Sequence, residues 1–363
     1  MTQSALLPEL PPPDWRLGPL RIVAIGGGTG LSTLLHGLKA HARPAAGGAP
    51  GAGLSRPPLV DITAVVTVTD DGGSSGRLRR DFKVLPPGDI RNCMVALSED
   101  EALLARLFQH RFARGRGLKG HSFGNLFLTA LTNVTGDFAQ AVKVCSEVLA
   151  IAGRIYPSTE TNVVLEAELE DGRRVKGETR ISKSRSRIRR ISLDPRGCRP
   201  LADTLRALAD ADLITLGPGS LFTSVIPNVL VQGISTAIAR APAVKACFMN
   251  LMWQPGETMN FTAADHMAAI LDHAGVNLFD CVVLNTRPIG GALLARYARQ
   301  KAQPVENDIG RLRRMGLRIV GRDLVGEGER IRHDPRAAAA VALELAAEGR
   351  RRRQETRAGA GAG

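Results

Sequence analysis

The chain has 363 residues, 44% of them hydrophobic, and a formal net charge of +13 with a pI near 10.3. That length suits one large α/β domain with additions, or two domains, and no apolar run reaches the roughly 18 residues that a membrane-spanning helix needs. A basic balance can signal nucleic acid, but aromatic residues are only 4% of the chain, so stacking platforms for single strands are not evident. Much of the charge sits in Arg350–Arg353 and between Arg173 and Arg199, and a small molecule is favoured over nucleic acid as the partner.

Residues 1–20 contain three consecutive prolines and the acidic Glu9 and Asp14. They lack the basic start and apolar stretch of a signal peptide and read as a flexible N-terminal extension. Ile22–Ile25 is then a short buried-strand signal, followed at once by Gly26-Gly27-Gly28-Thr29-Gly30-Leu31-Ser32 and by Leu34, Leu35 and Leu38 at helical spacing. Strand, tight glycine turn and helix make an anion site, because free N–H groups and the positive helix end point back at the turn. No Gly-Lys-Ser/Thr closes it as a P-loop, and Leu31 spoils a dinucleotide fingerprint. A plain glycine turn is the alternative; the position at the first βα turn favours phosphate.

Residues 41–58, rich in Ala, Gly and Pro, read as a flexible insertion. A second strand, Val60–Val68, runs into Thr69-Asp70-Asp71-Gly72-Gly73-Ser74-Ser75-Gly76-Arg77-Leu78-Arg79. At the carboxyl edge of a parallel sheet this is a chemically dense set. Asp70 or Asp71 offers oxygens for Mg²⁺, and Arg77 or Arg79 suits a phosphate, with a solvated turn as the alternative. Pro86-Pro87-Gly88-Asp89-Ile90-Arg91-Asn92 opens a helix with Asp89 as N-cap and Val95, Leu97, Leu103, Leu104 and Leu107 on its core face. Arg91 and Asn92 are expected to face the same crevice. His121, Ser122, Gly124 and Asn125 begin another helix as a second donor surface; no G-x-S-x-G elbow supports a hydrolase.

Asp137–Ile151 has a helical apolar pattern. Residues 160–194 then alternate, turn at Glu170-Asp171-Gly172 and return, predicting a β-hairpin subdomain with a further strand at Ile188–Leu193. Its arginines and lysines read as a solvated face. The α/β pattern resumes at Leu213–Leu216, where Gly217-Pro218-Gly219-Ser220 forms a second glycine turn with Ser220 able to cap the next helix. Two such turns suggest a diphosphate, or a nucleotide plus a second phosphorylated substrate. Further strands are expected at Val244–Met249, Phe279–Leu284 and Leu317–Val320, and Thr262 with Asp265 opens a helix as a capping box. Leu293–Ala302 is a helix carrying Tyr297, and Arg332 precedes a terminal helix at Ala337–Ala347. Arg332 can reach a diphosphate or lie on the surface. Residues 349–363 read as a disordered basic tail. The whole is an α/β chain with one main domain over 21–348. Five scattered cysteines without C-x-x-C indicate reduced thiols in a cytosol and no zinc site.

Seven segments in order, GGGTGLS (26–32), TDDGGSSGRLR (69–79), PPGDIRN (86–92), GHSFGNLF (120–127), LGPGSLFTS (216–224), QPGET (254–258) and IRHDP (331–335), resemble the gluconeogenesis-factor family (YvcK type), itself related to 2-phospho-L-lactate transferases (CofD type). The match spans Arg21–Ala347. It implies a Rossmann-like, mostly parallel sheet with helices on both faces and a small antiparallel appendage, in a bacterial cytoplasm. It also implies binding of UDP-N-acetylglucosamine and a role in central carbon metabolism and in cell-shape or cell-wall control, with partners in cell-wall synthesis or signalling. Members of this branch are regarded as regulators with no established reaction. The CofD relatives join phospholactate to a deazaflavin, with a guanosine diphosphate-type donor and Mg²⁺. By motif, Thr29, Tyr297 and Arg332 are the implied sugar-nucleotide contacts. The full expected nucleotide and phosphate set is Gly26, Gly27, Gly28, Thr29, Gly30, Ser32, Arg77, Asn125, Gly217, Gly219, Ser220, Tyr297 and Arg332. Asp70 and Asp71 are the expected Mg²⁺ ligands if the metal is used. No catalytic residue is assigned, and self-association is left open.

Overall fold

The computed structural model describes residues 18–42, 59–98, 103–184 and 186–360. The expected extension at 1–17 and most of the insertion, 43–58, lie outside the described residues.

Strand β1 (Leu20–Gly26) is buried at every position except Arg21. An apolar run of this kind is what a strand covered on both faces requires. Helix α1 (Gly28–Lys39) buries Leu31, Leu34, Leu35 and Leu38 and returns the chain to β2 (Val60–Val66), which pairs with β1 in parallel from Leu20↔Val60 to Gly26↔Val66. Five helices follow: α2 (Gly73–Phe82), α3 (Gly88–Leu97), α4 (Leu103–Gln109), α5 (Phe123–Thr135) and α6 (Phe138–Val148). They lead to the edge strand β3 (Arg154–Pro157) beside β2.

The chain then leaves the main sheet. Strands β4 (Val164–Leu169), β5 (Arg174–Lys176) and β6 (Ile188–Asp194), with α7 (Glu178–Ser182) between the last two, form an antiparallel sheet in the order β5-β4-β6. Leu165, Ala167 and Leu169 point inward while Glu166 and Glu168 alternate with them. The outer face carries cross-strand pairs such as Lys176–Glu166 and Arg189–Glu168. This is the appendage expected from the alternating pattern.

The return to the main sheet runs through α8 (Ala202–Asp210), β7 (Leu213–Leu216), a wide π turn (Leu221–Val225) continued by α9 (Ile226–Val229), α10 (Ile234–Arg240) and β8 (Val244–Phe248). After these come α11 (Ala263–Ala274), β9 (Cys281–Asn285), α12 (Gly291–Ala298), α13 (Ile309–Arg314), β10 (Arg318–Arg322) and α14 (Pro335–Ala360). The seven strands lie in the order β10-β9-β8-β7-β1-β2-β3, every pair parallel. Helices α1, α3 and α14 pack together on one face, α8, α10 and the α9–α11 pair on the other. From β1 the chain works outward through β2 and β3; from β7 it works outward the other way. The connections therefore diverge between β1 and β7, and a crevice opens at the carboxyl ends of that pair. No single helix among the described residues is long and apolar enough to cross a membrane.

Three expectations need correction. The helix expected from Gly88 through Leu107 is two helices, α3 and α4. Leu103, Leu104 and Leu107 are exposed rather than core-facing; Leu103 is 70% exposed. Asp89 is not the N-cap of α3: Pro87 holds that position and Asp89 lies in the first turn. The tail is not disordered up to residue 360. Helix α14 continues through it, because Arg350 and Arg353, three residues apart and so on one helix face, both reach the fully buried Asp212 at 2.6 and 2.8 Å.

Candidate functional site: the crevice between β1 and β7

The first glycine turn closes against its surroundings at each position. Gly28 has φ +62°, a left-handed conformation that disfavours other residues. A Cβ on Gly27 would meet Asp89 Oδ2 and Thr67 Cγ2, each at 2.6 Å, and one on Gly30 would stand 2.3 Å from the Pro218 carbonyl oxygen. The second turn, Gly217 to Ser220, thus touches the first. Asn250 holds it from the far side: its Oδ1 accepts from the Gly219 N–H at 3.2 Å and its amide donates to the Gly219 carbonyl at 2.8 Å. Gln254 donates to the Ser220 hydroxyl at 2.7 Å.

Helix α1 has no side-chain cap of its own. The Asp89 carboxylate takes that place, accepting from the Gly28 N–H. Burial, and then the nearby Asp70, push the Asp89 carboxyl up to about 7, while Gly28 and Arg91 oppose the shift. An acid that changes charge near neutrality thus sits where the helix end would receive an anion.

The crevice divides into two spaces. The narrower, about 270 Å³, lies between the turns and is lined by Thr29, Gly219, Ser220, Trp253, Tyr297 and Arg332 among others. The wider, about 890 Å³, lies past Thr29 and is lined by Ser32, His36, Arg91, Asn92, Arg111 and Arg330 among others. Thr29, Thr33, Arg332 and His333 border both. Tyr297 Oη accepts from the Ile331 N–H at 3.1 Å, and His333 Nε2 meets the Met249 carbonyl at 3.0 Å. These two bonds fix the 331–335 segment over the crevice. Burial depresses His333 to about 4, so the bond uses its neutral ring, with Nε2 donating. Arg332 is exposed and pairs with no carboxylate among the described residues.

Gly27, Gly28, Thr29, Gly30, Gly219, Ser220, Tyr297 and Arg332 therefore line one cavity. The remaining expected residues fall elsewhere. Gly26 and Gly217 shape the turns without lining either space. The Ser32 hydroxyl is engaged by the Gly28 carbonyl at 2.9 Å and borders only the wider space. Arg77 donates to the Lys119 carbonyl at 2.9 Å, outside the crevice. Asn125 is buried and donates to Ser75 at 3.3 Å, away from both spaces.

The two adjacent aspartates separate. Asp70 Oδ1 accepts from the Gly72 N–H at 2.8 Å; its other oxygen and the Ser75 hydroxyl both crowd Gly88, 2.7 and 2.5 Å from where a Cβ would be. Asp71 turns to the appendage, where its Oδ1 accepts from the Thr179 N–H and hydroxyl at 2.8 and 2.6 Å and so caps α7. Sequence reasoning missed Glu178, which burial and the surrounding Asp70, Asp89, Glu257 and Asp71 push up to about 9. It also missed Glu257, buried and accepting from the Phe222 N–H, Thr223 and Ser182. Glu257 lies in QPGET; nothing in the alternating 160–194 pattern marks Glu178. Among the described residues no three His, Cys, Asp or Glu side chains converge as a metal-ligand set.

A doubly wound parallel sheet with two abutting glycine turns at its switch point defines a Rossmann-like α/β protein. Residues 22–325 match the family described as 2-phospho-L-lactate transferase CofD. The Gluconeogenesis factor of Bacillus subtilis (strain 168) is 46% identical over 325 residues, 89% of this chain and 97% of that protein. The Putative gluconeogenesis factor of Aquifex aeolicus (strain VF5) is 46% identical over 329 residues, 90% of this chain and 96% of that protein. The crystal structure of a upf0052 family member from Bacillus halodurans superposes with a TM-score of 0.82 at 44% identity, covering 90% of this chain and 98% of that one. The chain belongs to the CofD-like gluconeogenesis-factor family.

Proposed function

We propose that the chain binds a nucleotide sugar, UDP-N-acetylglucosamine, in the β1/β7 crevice and acts in the cytoplasm as a regulator of carbon metabolism and of cell shape or cell-wall synthesis. The observation that carries this reading is the joint between the two spaces. There the N-terminal end of α1 and the Gly219–Ser220 turn face Arg332, which has no carboxylate partner among the described residues. A diphosphate seated at the joint gains backbone donors from below and a guanidinium fork from above. Its two arms then lie in the two spaces. The narrow one offers Trp253 and Tyr297 for a planar ring, and the wide one offers polar and charged groups for hydroxyls. A regulator needs no more than this: the ligand changes the surface formed by the crevice and the 331–335 segment over it, and other proteins read the result.

A second reading is favoured by the neighbouring carboxylates Asp70 and Asp89; burial, and then Asp70, raise Asp89. In it the chain is a CofD-like, Mg²⁺-dependent transferase of a phospho-acid from a nucleotide diphosphate donor. Mg²⁺ is commonly held by one or two carboxylates together with substrate phosphates, and Asp70 and Asp89 fit that pattern better than Asp70 and Asp71 do. Bound there, the metal would neutralise phosphate charge. Calorimetric titration with UDP-N-acetylglucosamine, with and without Mg²⁺, separates the two readings when the mixture is assayed for released products. Saturable binding with the ligand intact supports the regulator. Mg²⁺-dependent turnover, or tight binding of a guanosine nucleotide with none of the UDP-sugar, supports the transferase.

A further inference from the structure

The net positive charge is unevenly neutralised. On the appendage and on α14, cations face carboxylates: Lys176 with Glu166, Arg189 with Glu168, Arg318 with Glu348 and Arg322 with Glu344. On the arm formed by α4 and residues 110–121 they do not. Arg106, Arg114, Arg116 and Lys119 are exposed, and none makes an ion pair among the described residues; the same holds for Arg80 on the neighbouring α2. Asp81 is the one exposed acid among the described residues between 77 and 120; Glu99, Asp100 and Glu101, just before α4, lie outside the described residues.

This arm is built, not loose. The Phe112 N–H donates to the His121 carbonyl at 2.9 Å and the Gly120 N–H donates to the Phe112 carbonyl at 2.8 Å. Arg111 is tied to the Gly120 carbonyl at 2.6 Å, and Arg77 ties α2 to the Lys119 carbonyl. Among these fixed cations lie exposed aliphatic side chains: Leu103 at 70%, Leu104 at 41%, Leu107 at 37% and Leu118 at 44%. Three leucines on one seven-residue helix, with another on the attached loop, form an apolar surface that water penalises and a partner would cover.

We propose that this arm docks an acidic, leucine-bearing segment of another protein. Several partner types fit the chemistry less well. An isologous contact between two copies would set these cations against each other. Nucleic acid would satisfy the cations and gain little from covering aliphatic side chains. A lipid surface attracts lysine and arginine alike; here arginines predominate, and their planar forks suit carboxylates bidentately. The inner side of the same arm, Gln109 and Arg111, lines the wider space of the crevice. A docked segment therefore lies one wall away from the site of the proposed ligand. The docking itself stands independently of that ligand's identity.

The test begins with a photo-crosslinking residue at position 107 in the full chain, expressed in its native cells, with the exposed position 276, just past the end of α11, as control. Sequencing of the crosslinked peptide is expected to give a segment of another protein with net negative charge and apolar residues. A synthetic peptide of that segment should bind the purified chain. Arg114→Glu/Arg116→Glu and Leu103→Ser/Leu107→Ser should each weaken it at least tenfold, with melting temperatures and UDP-N-acetylglucosamine affinity unchanged. Moving from 50 to 300 mM salt should weaken the wild type several-fold. A crosslink to lipid, to nucleic acid or to a second copy overturns the proposal. So does labelling no greater than at position 276, or a captured peptide whose affinity both double variants leave intact.

Discussion

Gly30 and Pro218 are in contact although 188 positions separate them: a single side-chain carbon on Gly30 would stand 2.3 Å from the Pro218 carbonyl oxygen. That oxygen belongs to a backbone whose next residue is clamped by Asn250 on both its N–H and its carbonyl, so it has little room to retreat. Gly30→Ala is therefore expected to wedge the two glycine turns apart. Overpacking of this kind costs about 1–3 kcal/mol, read as a lower denaturant midpoint with an unchanged slope. The same variant should bind the nucleotide sugar more weakly, since both walls of the narrow space move. Wild-type stability in the variant would mean that the turns are not in contact in solution.

Arg332 and Tyr297 should separate in a different way. Arg332 is exposed and pairs with no carboxylate among the described residues, so Arg332→Ala should leave stability within about 0.5 kcal/mol of wild type. If the guanidinium binds a diphosphate, the variant loses a charged hydrogen bond worth about 1.5–3 kcal/mol, or roughly 10- to 150-fold in affinity. Tyr297→Phe keeps the ring but strands the Ile331 N–H, and should lower stability and affinity together by about 1 kcal/mol. Titration calorimetry beside thermal melts tells the patterns apart. Unchanged affinity in Arg332→Ala removes that residue from the site.

How far these residues were legible in the sequence depends on what carried the signal. Both glycine turns could be read because strand, glycine and helix follow one another locally, and their meeting follows from parallel order around β1. Tyr297 carries no local pattern and was marked by the resemblance; Arg332 was legible only as an arginine before a helix, able to reach a diphosphate or to lie on the surface, and the resemblance chose between the two. Asp89 was legible as an acid at a helix start, yet its partner is the start of a different helix, α1, a tertiary relation that no window of sequence contains. Asp71 was misplaced for the same reason, since its hydrogen bonds go to Thr179, 108 positions away. Leu103, Leu104 and Leu107 have core-like spacing and lie outside, because periodicity shows an apolar face without showing whether anything covers it.

Asp89 makes ligand affinity depend on pH. Its carboxyl titrates at about 7, at the end of α1 where a phosphate is proposed to sit. A bound phosphate repels the ionised form and so favours the protonated one. Affinity should therefore rise as pH falls from about 8 to 6, by no more than tenfold per unit for one proton. Asp89→Asn keeps an acceptor for the Gly28 N–H and removes the charge, so its affinity profile should be flatter and its affinity at pH 8 higher than wild type. A slope that persists in Asp89→Asn would assign the dependence to another group.

His333 gives stability a pH dependence of opposite sense. Its folded value of about 4 lies below the roughly 6.5 of an unfolded histidine. Between these values the unfolded chain binds the proton and the folded one does not. The contribution is complete above pH 6.5 and is lost as pH falls toward 4, reaching roughly 2 kcal/mol at pH 5. Asp89 and Glu178, raised in the folded state, work the other way and favour folding as pH falls. The informative quantity is therefore the difference between wild type and His333→Gln in denaturant melts. The gap between them should shrink by about 2 kcal/mol from pH 7 to pH 5. A constant gap would show that the ring is not held neutral.

The strongest stability prediction concerns the far end of the sheet. Asp212 is fully buried, and its carboxylate receives the Arg21 N–H at 2.9 Å, Arg350 at 3.0 and 2.6 Å and Arg353 at 2.8 Å. Attraction between buried charges roughly offsets the cost of desolvating them, so the intact cluster is not itself a large gain. Breaking it is costly, because the partners left behind stay buried and uncompensated. Asp212→Ala should therefore lose about 3–5 kcal/mol, a fall in melting temperature of roughly 4–7 °C for a chain of this size. Removing residues 349–363, which composition alone marks as dispensable, should destabilise by a similar amount, because it leaves Asp212 without its two arginines. In the combined variant neither side strands a charge, so its loss should be clearly smaller than the sum of the two. Additive losses would show that Asp212 and the end of α14 act separately, and a truncated chain melting like wild type would show that α14 contributes nothing past Glu348.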